Sequence, residues 1–180
     1  MNWARVARRI RVPLGFVLAA LFLWLARPTW RWMLASLALV VPGILLRAMA
    51  AGHVKKNREL TKTGPYAYTR NPLYLGSIFI GVGFAVAAHS IWLGVALVAM
   101  FLLIYLPVIR SEEEFLRSTF EDFEQYTRQV PRLLPRLRLT GSTSGEFSMD
   151  LYRKHREYNA LIGSAALYAA LVLKLALQSR

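Results

Sequence analysis

"LYLGSIFIGVGFAVAAHSIWLGVALVAMFLLIYLPV", residues 73–108, decides the fold. It holds two apolar runs, roughly 73–88 and 91–108, joined only by Ala88, His89 and Ser90. Runs of this kind approach the ~20 residues that cross hydrocarbon as a helix, and so tight a join implies an antiparallel helical hairpin. Working outward, three further apolar segments appear: "VPLGFVLAALFLWLA" (12–26), "WMLASLALVVPGILL" (32–46) and "ALIGSAALYAALVLKLAL" (160–177). The first is short for a span, with Trp24, Trp30 and Trp32 near its exit, where interfacial aromatics belong. Pro42-Gly43 predicts a kink in the second, and Arg47 behind it either snorkels or faces the interior. Gly163, Ser164, Ala165 and Ala166 permit close helix packing in the last. Lys174 near its end can reach the interface.

Between the hairpin and the last span lies a charged stretch. Phe115, Leu116, Phe120, Phe123 and Tyr126 recur there at helical spacing among Glu and Arg, which predicts an amphipathic helix at the membrane surface. Pro131 and Pro135 end it, and residues 140–148 read as a flexible linker. The expected fold is all-α: a polytopic membrane helical bundle of about five transmembrane helices plus an amphipathic cytoplasmic helix. It forms one membrane domain over 1–180. An N-terminal helical pair covers 1–50, and a linker with a C-terminal transmembrane helix covers 140–180.

Composition supports this. The chain of 180 residues is 56% hydrophobic, above the 45–50% or so of soluble domains, and its mean hydropathy is +0.35. Its formal charge is +13, from 23 Lys and Arg against 10 Asp and Glu. The cations cluster beside apolar runs: Arg5, Arg8, Arg9 and Arg11 before the first, Lys55, Lys56, Arg58 and Lys62 after the second. That placement fits an anionic leaflet, not nucleic acid. With no cysteine, disulfides, thiolate metal sites and thiol nucleophiles are excluded. The three histidines are too scattered to suggest a metal site. The Arg-rich start lacks a small-residue cleavage pattern and reads as a retained anchor. By the positive-inside rule the N-terminus, loop 47–72 and stretch 110–157 share the cytoplasmic side, and loops 27–31 and 89–90 lie outside.

Both information-rich segments therefore share one face. In "TGPYAYTRNPLYLG" (63–76), Gly64-Pro65 makes a turn and Asn71-Pro72 starts the next helix. A helix N-terminus beside the Arg70 guanidinium forms a carboxylate-binding corner. Tyr66, Tyr68 and Tyr74 add aromatic faces and hydroxyls suited to a cation or a flat base. The other reading is an interfacial aromatic belt with an arginine for lipid phosphates. The second segment, "RSEEEFL" (110–116), places three glutamates at a helix end, of which at most two can converge because neighbours are about 100° apart. A carboxylate there suits a ligand ammonium or ribose hydroxyls; a solvated acidic run is the plainer alternative.

The order and wording of these segments resemble the isoprenylcysteine carboxyl methyltransferase and phospholipid methyltransferase family of integral membrane methyltransferases. The resemblance covers about residues 45–139: Gly64 and Tyr66; then Arg70, Asn71, Pro72, Tyr74 and Gly76; then Arg110, Glu112 and Glu113; then Val130-Pro131 with Pro135. Asn71 stands where the family usually has His, Phe123 where Tyr is common and Glu121 where Gly is common. The resemblance implies a cofactor-binding core over 51–139 that takes S-adenosylmethionine. It implies a lipophilic acceptor reaching the methyl group from the bilayer, in the inner membrane of a bacterium, with N-terminus and active site cytoplasmic. Arg70, Asn71 and Glu113 are the catalytic candidates. Arg70, Pro72, Tyr74, Gly76, Glu112 and Glu113 inherit cofactor-binding roles, joined by Tyr66 and, on the approach to the turn, His53 and Arg58. An NADPH-dependent membrane reductase of related architecture and a non-catalytic lipid-binding scaffold are the alternatives. The acceptor and the oligomeric state are left open by the sequence.

Overall fold

The computed structural model describes residues 3–55, 59–136 and 145–178. Among them there is no β-strand. Helix α1 (Trp3–Leu25) and helix α2 (Trp30–His53) each carry an internal proline, Pro13 and Pro42. A short 3-10 turn (Gly64–Ala67) precedes α3 (Pro72–Ala87). Then α4 (Ile91–Met100) runs through a π-helical turn (Phe101–Tyr105) into α5 (Leu106–Thr119). Three helices complete the chain: α6 (Phe123–Gln129), α7 (Met149–Lys154) and α8 (Tyr158–Gln178).

Three of the five expected spans are long and apolar enough to cross a membrane: Trp30–His53, Ile91–Thr119 and Tyr158–Gln178. The other two, Val12–Leu25 and Pro72–Ala87, are shorter apolar helices. Their outward side chains are largely apolar, with Trp24, Trp30, Ile91 and Trp92 well exposed, as expected of surfaces that face lipid.

The chain forms two compact units, and the division falls inside α2, α3, α5 and α8. One comprises Met1–Val41, Phe79–Ser111 and Ile162–Arg180; the other comprises Pro42–Ile78 and Glu112–Leu161. In the first unit, Phe84 is a packing centre. Its ring meets Phe22 edge-on at 5.6 Å and Tyr168 at 5.0 Å. Buried Ser36 hydrogen-bonds the Tyr168 hydroxyl at 2.6 Å, which satisfies both polar groups. The loops on either side of the hairpin meet: Arg27 donates its N–H to the Ala88 carbonyl, and Trp32 stacks on His89. At the other end Arg8 donates to Ser111. Two helix irregularities are also answered. The Trp3 indole donates to the Leu103 carbonyl within the π turn. Lys174 caps the carbonyls of Leu23 and Trp24 at the end of α1.

The amphipathic segment differs from expectation. The chain breaks between Thr119 and Phe123, so it forms two short helices. Phe115 points outward at 51% exposure. Phe123, Tyr126 and Val130 instead pack with Leu60, Leu116 and Phe120 into a core of the second unit. Those apolar side chains are spent inside the protein, where burial of each contributes about 1.5–3 kcal/mol.

Candidate functional site

The second unit gathers the polar residues. Its frame begins at Gly64, whose φ of 57° is left-handed and whose absent Cβ would lie 2.6 Å from the His53 ring. Glycine is therefore required there on two counts. Pro65 opens the following 3-10 turn, and the buried Tyr66 accepts a 2.7 Å hydrogen bond on its carbonyl from the Tyr126 hydroxyl. Burial pushes both phenols above the usual tyrosine range, so they are neutral donors near neutrality.

Residues 68–71 are then clasped by the segment 131–136. Arg70 donates its N–H to the Pro131 carbonyl at 2.9 Å, and Arg136 donates to the Tyr68 carbonyl at 3.0 Å. The Arg132 carbonyl accepts two more bonds, from the Thr69 hydroxyl and the Asn71 amide, each at 3.1 Å.

Glu113 comes in from α5 and lies at the centre of this loop. It is 7% exposed. Arg132 places Nε at 2.9 Å and Nη2 at 2.7 Å from its Oε2, and the Asn71 amide donates to Oε1 at 3.2 Å. Arg70 Nε stands 3.6 Å from Oε1, an ion-pair distance too long for a hydrogen bond. That nitrogen is buried and has no hydrogen-bond partner. Burial lowers the Arg70 guanidinium from its ordinary range, and Glu113 partly offsets the effect. Beside this cluster, the Tyr74 hydroxyl donates to Glu112 Oε2 at 3.1 Å. Of the glutamate triplet, Glu113 is buried, Glu112 half-buried and Glu114 exposed, as steps of about 100° require. Arg110 is exposed.

The structure thus brings Arg70, Asn71 and Glu113 together, with Pro72 buried at the start of α3 and Tyr74 joined to Glu112. Gly76 lies at a helix crossing: a Cβ there would meet Arg47 Cγ at 2.6 Å and the Gly43 carbonyl at 2.7 Å. His53 ends α2 with its ring nitrogens against the carbonyls of Met49 and Gly145. Arg58 lies outside the described residues. Two partners were not foreseen, Arg132 for Glu113 and Glu157 for Arg47, although facing the interior was one of the two placements expected of Arg47. Arg132 was hidden in a proline-punctuated run, although an inward-turned glutamate by itself demands a cation. Arg47 turns inward, takes both oxygens of Glu157 at 2.7–3.0 Å and donates to the Leu73 carbonyl and the Ser77 hydroxyl.

Residues 145–157 form a strap along the end of α2, so the last four residues of the expected linker are bound in place. Ser148 donates its N–H to the Gly52 carbonyl at 2.9 Å and caps α7 through its hydroxyl. The Phe147 ring covers Gly52, where any Cβ would overlap it. His155 Nδ1 lies 3.1 Å from the Ala51 carbonyl. Among the described residues no group of three metal-ligating side chains occurs.

Fold and site define an integral membrane helical protein with a half-buried cationic and acidic cluster beside its spans. The sequence model of the phospholipid methyltransferase family matches residues 11–122, and the chain belongs to that family. The chain is 43% identical over 91 residues to the nickel-cobalt-cadmium resistance protein NccN of Alcaligenes xylosoxydans xylosoxydans, covering 50% of this chain and 42% of that one. It is 33% identical over 137 residues to the cobalt-zinc-cadmium resistance protein CzcN of Cupriavidus metallidurans, covering 72% of this chain and 63% of that one. The matches span less than two thirds of either relative's length. No solved structure matches the chain.

Proposed function

We propose that the protein is a methyltransferase that uses S-adenosylmethionine to methylate a lipophilic acceptor held in the bilayer. The observation that carries this reading is Arg70. Its side chain is 12% exposed, and its buried Nε is an orphaned donor. A largely buried guanidinium with an unpaired donor is costly unless an anion completes it. A carboxylate fits it, and Glu112, held by the Tyr74 hydroxyl, offers an acceptor for an ammonium or for ribose hydroxyls. Together they suit the zwitterionic end of an amino-acid-derived cofactor.

When bound, S-adenosylmethionine supplies an electrophilic methyl group on a sulfonium. The residues of this chain then have to align and to exclude water, because methyl transfer needs little acid–base assistance. Arg70 anchors the anionic end, Glu112 and Tyr74 orient the cationic or hydroxylated part, and Asn71 with Glu113 fixes the loop that carries Arg70. The Asn71 amide cannot take the acid–base part that a histidine could. Exposed Arg153, Lys154 and Arg156, next to the apolar α8, suit anionic headgroups on the cytoplasmic side of a bacterial inner membrane. The relatives' names fit an acceptor lipid whose methylation alters metal tolerance.

Isothermal titration of S-adenosylhomocysteine into the purified protein tests the reading. Binding is expected, weakened about tenfold or more in Arg70→Ala by loss of a charge-assisted pair. No binding by the unmutated protein overturns it, and quenching of NADPH fluorescence instead would favour a reductase.

A further inference from the structure

Two guanidinium groups address one carboxylate at Glu113, and they share it unequally. Arg132 takes Oε2 with two nitrogens, at 2.9 and 2.7 Å. The Asn71 amide occupies Oε1 at 3.2 Å. Arg70 is kept at 3.6 Å and hydrogen-bonds nothing through Nε. Yet Arg70 is the more buried of the two cations, with 12% of its side chain exposed against 39% for Arg132. In surroundings of low effective dielectric the attraction between Arg70 and Glu113 is strong. Without Arg132, the nearest resting place for the Arg70 fork is the Glu113 carboxylate itself.

Resting on the cofactor reading above, we infer that Arg132 is a positioning residue. It satisfies Glu113 so that Arg70 keeps its terminal nitrogens for the carboxylate of the bound ligand. The division of labour within Arg132 makes this separable from a structural role. Its main-chain carbonyl holds Thr69 and Asn71, and any side chain preserves that. The guanidinium alone governs how far Glu113 pulls on Arg70. Substituting Arg132 leaves Arg70 present but drawn onto Glu113, and removing the charge of Glu113 as well releases it again.

The test is a rescue, read by titrating S-adenosylhomocysteine into the full chain in detergent micelles. Arg132→Met is expected to weaken binding about tenfold or more, the usual scale for losing a charge-assisted contact. Arg132→Lys retains the charge without the fork and falls between. Adding Glu113→Gln to either variant should recover several-fold of the lost affinity. Neutralising Glu113 also removes an unpaired buried charge, so a merely structural Arg132 makes affinity track Tm through these variants. The positioning role predicts affinity regained beyond any recovery of Tm, and affinity that only follows Tm in parallel melts overturns it. Where Arg132→Met does not fold, the Arg132→Lys pair decides in the same way. Failure of Glu113→Gln to raise affinity in these backgrounds overturns the inference alone, as does an Arg132→Met variant that binds like the unmutated protein. No binding by the unmutated protein overturns the cofactor reading and this inference with it.

Discussion

Glu157→Gln offers the sharpest measurement of how the strap is held. The Arg47–Glu157 pair has three N–H···O contacts of 2.7–3.0 Å. The side chains are 23% and 12% exposed, between the surface and buried cases. Exposed pairs contribute about 0–1 kcal/mol, whereas deleting one partner of a buried pair costs about 3–5. Arg47 also keeps its bonds to Leu73 and Ser77, which lowers the loss. An intermediate figure of about 2 kcal/mol follows, a fall of roughly 4–8 °C in Tm for a chain of this size. Tryptophan fluorescence during heating in detergent reads it. Arg47→Met and the double variant complete a cycle, with an expected coupling of about 1–2 kcal/mol. A loss under about 0.5 kcal/mol in Glu157→Gln, the level of an ordinary surface change, or additive single effects, would refute the reasoning.

Gly64→Ala combines a left-handed backbone with a 2.6 Å approach to the His53 ring; it should destabilise by about 2–4 kcal/mol, measured by thermal unfolding. Gly52→Ala should displace Phe147, seen as faster proteolysis between residues 145 and 149, while Phe147→Ala in the same background should add little. Stability should fall in alkali. Tyr66 and Tyr126 have raised folded-state values, so their contribution is complete below the ordinary tyrosine value of about 10 and is lost as pH rises past it, by up to about 1.4 kcal/mol per pH unit each. Tyr126→Phe should flatten that slope in melts between pH 8 and 11. Tyr74→Phe frees Glu112 and should weaken S-adenosylhomocysteine binding a few-fold, with Tm shifted little, by calorimetry and melting in parallel.

Local punctuation carried much of this structure into view. Gly64-Pro65 and Asn71-Pro72 turn the chain where their backbone preferences say, and the join at 88–90 forces the hairpin. The inward turn of Glu113 follows from helix geometry. What could not be read were partners set by distant packing. Arg132 meets Glu113 because the chain doubles back through Pro131, and Glu157 meets Arg47 across 110 positions. Phe147, alone among polar neighbours, shows no periodicity; only the missing side chain of Gly52 gives it a seat. The amphipathic pattern held for its apolar residues other than Phe115 but concealed a break near Asp122, since the same spacing serves one helix or two.

The end of α2 is finished by residues made much later. The Ala51 carbonyl waits for a histidine 104 positions downstream, and Gly52 waits for Ser148. A ribosome that has just released Gly64 therefore leaves behind a helix end still wetted by solvent. Until Glu157 has been made, Arg47 also lacks the carboxylate that it meets in the folded chain, so the order of synthesis sets the order in which this helix end can be closed.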